Sequence, residues 1–175
     1  MDKSTLKSIL PLVITTAAAL SPAPAQSGIY MDVETGLIKG DSQRTFHVNQ
    51  IDILSWGWGV SYDQASAAAN MQAITVVKQL DSSTGPIIDA VINNTSFKDI
   101  IIYSDANGAQ THCDFLEVKM KGASFNSSSV GFDPSNSDIP SESYTLDFKE
   151  VCLTVRQYDV QGECVVVQPE KCYVK

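Results

Sequence analysis

This 175-residue chain is predicted to fold as a mainly β (α+β) domain, a compact β-barrel of two sheets with one covering α-helix at about residues 84–93. Three observations lead there. Apolar and polar residues alternate with period two in seven separate runs, the mark of half-buried strands. Only one segment combines helical periodicity with capping residues. Turn-rich stretches, rather than long linkers, separate the runs. Many short strands with one helix bury their apolar faces best by curling into a barrel that the helix covers.

The alternating runs are residues 28–33, 47–56, 71–80, 97–105, 112–125, 144–158 and 164–174. Residues 36–45 and 126–143 are rich in Gly, Ser, Asn, Asp and Pro and read as surface loops. The alanine-rich segment 63–70 reads as a loop or a single turn. For the helix, Asp81, Ser82, Ser83 and Thr84 supply capping oxygens and Pro86 suits the first turn. Ile87, Ile88, Val91 and Ile92 form its apolar stripe, and Asn93 and Asn94 stop it in a left-handed conformation. In run 144–158 the apolar positions change from even (Tyr144, Leu146, Phe148) to odd (Val151, Leu153, Val155). One inserted residue, a β-bulge near Lys149 and Glu150, accounts for that switch.

Both tryptophans, Trp56 and Trp58, lie in the run Ile51-Asp52-Ile53-Leu54-Ser55-Trp56-Gly57-Trp58-Gly59-Val60-Ser61. Alternation places them on one face as a broad apolar ridge, at a core strand turning a barrel corner. This wording resembles the haemolysin-coregulated protein family, the tube subunit of type VI secretion. Further stretches resemble the family in the same order: Ile29–Asp32 with Gly36–Ser42, Phe97–Tyr103, Phe115–Met120 and Tyr144–Phe148. The resemblance runs from about Gly28 to Glu163. It implies a bacterial secreted structural protein, a hexameric ring that stacks into a tube, and a lumen that carries effectors. It also implies a ring-stacking loop, which we place at 36–45, where Asp41, Arg44 and the adjoining Phe46 offer polar and apolar contact.

Lys3 and Lys7 precede a mostly apolar run from Ile9 to Leu20, and Ala23-Pro24-Ala25 follows. That layout predicts a signal peptide over residues 1–25, cleaved before Gln26, and a secreted or periplasmic protein. Tube subunits of the family are typically made without such a leader, so this is a departure from the pattern. The remaining residues 26–175 suit one domain. Without Lys3, Lys7 and Asp2, ten Lys and Arg face nineteen Asp and Glu, a net charge of −9. An acidic chain with no basic stripe argues against nucleic-acid partners, and no segment is long enough for membrane insertion.

The four cysteines, Cys113, Cys152, Cys164 and Cys172, are even in number in a chain with an export signal, which favours disulfides. If 112–125 and 144–158 form a hairpin, Cys113 falls opposite Cys152 on the outward face, leaving Cys164 to join Cys172. Other pairings come next. Metal binding ranks last, because there is no Cys-x-x-Cys and His47 and His112 lack ligand spacing.

No nucleophile elbow, glycine-rich phosphate loop or base-oriented Ser or Cys occurs, so no catalytic and no cofactor-binding residues are assigned and an enzyme is not expected. The expected partners are copies of the chain itself, secreted effectors and other secretion components. The alternative is an exported monomeric β-barrel binding module that has lost the tube role, towards which the leader and disulfides lean.

Overall fold

The computed structural model describes residues 28–65, 67–105, 112–132 and 139–175. The leader assigned to residues 1–25 lies outside the described residues. Chain order runs β1 (Ile29–Val33), β2 (Ile51–Ile53), β3 (Ser55–Gly57), β4 (Val60–Asp63), β5 (Ala68–Met71), β6 (Ile74–Gln79), α1 (Thr84–Ile92), β7 (Ser96–Asp105), β8 (Asp114–Gly131), β9 (Ser141–Asp147), β10 (Glu150–Tyr158) and β11 (Cys164–Val174).

The nine-stranded sheet follows the path β2-β1-β7-β8-β9-β6-β3, with β10 paired to β8 and β11 to β10. Its first and last strands are consecutive pieces of one run joined through Leu54, whose amide donates to Val77 O at 2.8 Å. The sheet therefore curls back to meet itself. Strands β4 and β5 make a separate two-stranded sheet, so the described residues hold two sheets and one short helix, as predicted.

Alternation works as the period requires. Ile100 and Ile102 of β7, Val118 and Met120 of β8, and Tyr144 and Leu146 of β9 all face a shared interior. Phe125 packs edge-on against both Phe97 and Tyr144, at centroid distances of 5.9 Å each. Helix α1 covers this core with Ile87 and Ala90, while Val91 packs at the margin. Ile92, predicted in the apolar stripe, points outward. Asp81 does the capping: its Oδ1 accepts from the Ser83 amide at 2.9 Å, and Ser83 makes no side-chain cap of its own. Asn94 takes the left-handed conformation at φ 49°, as its position after the helix predicts.

Three local expectations are corrected. Residues 126–131, read as loop, continue β8, because β9 pairs with them along one edge. Within residues 63–70, read as a loop or a single turn, Asp63 and residues 68–70 are strand residues of the β4–β5 hairpin. The bulge near Lys149 is a full break: β9 ends at Asp147 and β10 begins at Glu150, both antiparallel to β8. Gly122, at φ +57°, sits in β8 where its partner changes from β10 to β9, a conformation that favours glycine. The change of face inferred from the sequence is thus a corner between two strands.

Candidate functional site

Four groups of residues outside the apolar interior carry the potential for function, and each is set by local sequence.

The first is the β4–β5 ribbon. It joins no other strand, and Val60 and Tyr62 are 56% and 65% exposed. A two-stranded ribbon is marginal by itself in water, so apolar side chains held out on one mark a surface meant for contact. Its base is fixed by the tryptophan run. Trp58 Nε1 donates to Gln72 O at 3.1 Å across the hairpin, and its ring meets Phe148 edge-on. Trp56 and Trp58 are both half-buried against the core, and Trp56 lies on β3 opposite Val76. The alanines hid this ribbon from a reading based on alternation.

The second is the loop between β1 and β2. Gly40 is needed there, since a Cβ would stand 2.6 Å from the Gln50 carbonyl oxygen and the Ile51 Cα. Asp41 accepts from the Ser82 hydroxyl at 2.6 Å, a bond that holds its carboxyl below the ordinary carboxylate value. Arg44 spans to Asp105 with two donors, at 3.0 and 2.9 Å. Asp41 and Arg44 thus hold the loop to the barrel. Phe46 is 63% exposed and stacks on His112, with ring centroids 4.2 Å apart.

The third is the pair of disulfides, Cys113–Cys164 and Cys152–Cys172, with Cα separations of 5.4 and 3.9 Å. The four cysteines are bonded as predicted, but the pairing of Cys113 with Cys152 and of Cys164 with Cys172 is not found. Cys152 stands opposite Lys119 on β8 and opposite Cys172 on β11. The assumed hairpin had the right parity and the wrong register, which periodicity alone does not specify. Cys113 and Cys152 are also buried, not outward.

The fourth group surrounds His47. Its ring is buried, stacks on Tyr30 at 4.1 Å and lies 5.1 Å from that of His112. His47, Asp105 and His112 each bring a potential ligand atom within 4.8 Å of the others'. The two imidazole Nε2 atoms lie 3.1 and 3.2 Å from the Asp114 carboxylate. Burial raises the Asp114 carboxyl, but the closeness of His47 and then His112 outweighs it and holds the group below its ordinary value. Tyr103 tilts against His47, and burial pushes its hydroxyl up to about 12. His47 and His112 do come together, although their separation in sequence carries no ligand pattern.

A curled antiparallel sheet, one covering helix and a separate two-stranded ribbon define a mainly β domain with no catalytic constellation assigned to it. The chain belongs to the family described as Type VI secretion system effector, Hcp, which matches residues 30–155. This is a family of structural secretion-tube proteins that the type VI system secretes. Among solved structures, the chain is similar to a type six secretion system protein with TM-score 0.75 and 18% identity, covering 85% of this chain and 96% of that one. It is similar to Hcp1 from Salmonella typhimurium with TM-score 0.66 and 16% identity, covering 85% and 94%. A type VI secretion system effector from Yersinia pestis gives TM-score 0.65 and 14% identity, covering 84% and 99%. At these identities the likenesses show the fold. No curated protein matches the chain.

Proposed function

We propose that this protein assembles into hexameric rings that stack into a tube and carry effectors in the lumen. The observation that carries this reading is the β4–β5 ribbon, which among the described residues pairs with no other strand and leaves Val60 and Tyr62 more than half exposed. A closed ring requires a heterologous contact in which one patch meets a different patch on the next copy, and stacking requires complementary top and bottom faces. The ribbon supplies one such face. Phe46, at the tip of the β1–β2 loop, supplies a second apolar contact beside Asp41 and Arg44. Membership of a secretion-tube family supports the same reading. Residues 1–25 are the export signal in this proposal, with cleavage before Gln26.

A second reading, an exported monomeric binding module, is favoured by the two disulfides. Cross-links of this kind belong to oxidising compartments, whereas tube assembly inside the cell has no use for them. Light scattering on the oxidised protein, followed by negative-stain imaging, separates the two. A ring of about six subunits supports the tube reading. A monomer at high concentration overturns it in favour of the module.

A further inference from the structure

We propose that His47, Asp105, His112 and Asp114 form a binding site for one divalent transition-metal ion of the zinc class. The site is built from three separate pieces of chain: the β1–β2 loop, the end of β7 and the start of β8.

A buried carboxylate oxygen lies beside two imidazoles. His47 is 2% exposed and Asp105 1%. Yet among the described residues Asp105 Oδ1 makes no hydrogen bond, and His47 Nε2 faces Asp114 Oδ1 at 3.1 Å. A buried polar atom left bare costs about 1–3 kcal/mol.

The neighbours fix how these atoms present themselves. His47 Nδ1 lies 2.8 Å from the Gln50 side-chain amide oxygen, and a ring proton held there leaves Nε2 available as a ligand. Asp105 Oδ2 is taken by Arg44, so Oδ1 alone remains free. A histidine whose other nitrogen donates to an oxygen, and a carboxylate held by a second group, are what metal ligands ordinarily show. At 3.1 Å, His47 Nε2 and the Asp114 carboxylate oxygen are joined either by a ring proton or by a bound cation that replaces it.

The spacing fits the same ion. Ligands at roughly 2.0–2.1 Å around a tetrahedral zinc stand about 3.3 Å from one another. The two histidine-to-Asp114 distances are 3.1 and 3.2 Å. Two imidazoles with carboxylate oxygens select a borderline ion over calcium or magnesium, which take oxygen alone. Stacking of Tyr30 on His47 and of Phe46 on His112 holds both rings in place. Between His112 and Asp114 the Cys113–Cys164 disulfide anchors the segment that carries two of the ligands.

The test uses the full oxidised protein, stripped of metal with a chelator and titrated with zinc or cobalt(II) by calorimetry and visible absorption. The expected result is saturable uptake of one ion per chain, tetrahedral cobalt bands, and at least about tenfold weaker binding in H112Q and in D114N. His112 is partly exposed, so its substitution leaves the core intact. Imidazole NMR signals of the unsubstituted protein give a readout independent of folding in the variants: those of His47 and His112 must shift together on adding zinc. No saturable uptake, unchanged affinity in both variants, or movement of His112 alone overturns the site.

Discussion

Lys78 and Glu142 stand directly opposite each other on β6 and β9, both side chains fully buried, with Lys78 Nζ donating to Glu142 Oε1. Asp81 Oδ1 accepts from the same Nζ at 2.7 Å, and the Thr84 hydroxyl donates to Glu142 Oε1 at 2.8 Å. This cluster ties the start of α1 to two strands of the barrel. Removing Lys78 leaves the fully buried Glu142 without its cation, which costs about 3–5 kcal/mol, whereas replacing both with apolar residues is often close to neutral. We expect K78M to lower stability by about that much, E142Q to cost less because Lys78 keeps its bond to Asp81, and K78M/E142L to recover most of the K78M loss. Urea denaturation of the four proteins checks this; additive losses in the double variant would show that the charges do not act as a pair.

The two disulfides close stretches of different length, with sequence separations of 51 and 20. In the chain-entropy account they stabilise by about 4 and about 3 kcal/mol. A C113A/C164A protein should therefore lose slightly more stability than C152A/C172A. Peptide mapping without reduction should yield fragments joining Cys113 to Cys164 and Cys152 to Cys172. A fragment joining Cys113 to Cys152 would contradict the register of β8 with β10.

On the β4–β5 ribbon, Tyr62 is exposed and lies outside the core cluster. Replacing it by Asp should change subunit stability by no more than about 0.5 kcal/mol. The same change places a charge in the proposed stacking contact, so rings should fail to stack while the thermal midpoint barely moves. Unaltered stacking by electron microscopy would remove the ribbon from the interface.

Asp147 is held below the ordinary carboxylate value chiefly by the hydrogen bond from Lys175; burial opposes it, and the Phe148 amide adds a lesser lowering. Because its native pKa is depressed, the stability it contributes is present above the unfolded value of about 3.9 and is lost as pH falls through the native value. The pair is largely exposed, so D147N should cost only a few tenths of a kcal/mol at neutral pH. Thermal melts of D147N and the parent should converge in strong acid. A gap that persists there would assign the effect to packing rather than charge.

Much of the architecture was legible in residues 28–175 because it depends on local period. Ile100 and Ile102 face inward for the same reason that Tyr144 and Leu146 do, and α1 appears where capping residues precede its apolar stripe. The β4–β5 ribbon was not legible, since Ala68 and Ala69 give no alternation to read and exposed strands need none. The chain's turn near Lys149 was visible as a change of parity, but parity alone does not separate a bulge from a corner at which β8 exchanges one partner for another. Of the groups described above, the loop residues Asp41, Arg44 and Phe46 and the four cysteines stand out in the sequence, while the histidine cluster does not, because His47 and His112 are far apart along the chain.

Composition and hydrophobic period decided the strands, the helix, the number of cysteines and the family-like wording around Trp56 and Trp58, all of which need only neighbouring residues. Closure of the sheet decided the rest. Which cysteines bond, which lysine meets which glutamate, and that Asp105 and His47 share one buried pocket all follow from register between strands distant in sequence. Register depends on the sum of contacts across the whole barrel, and no single segment contains that sum.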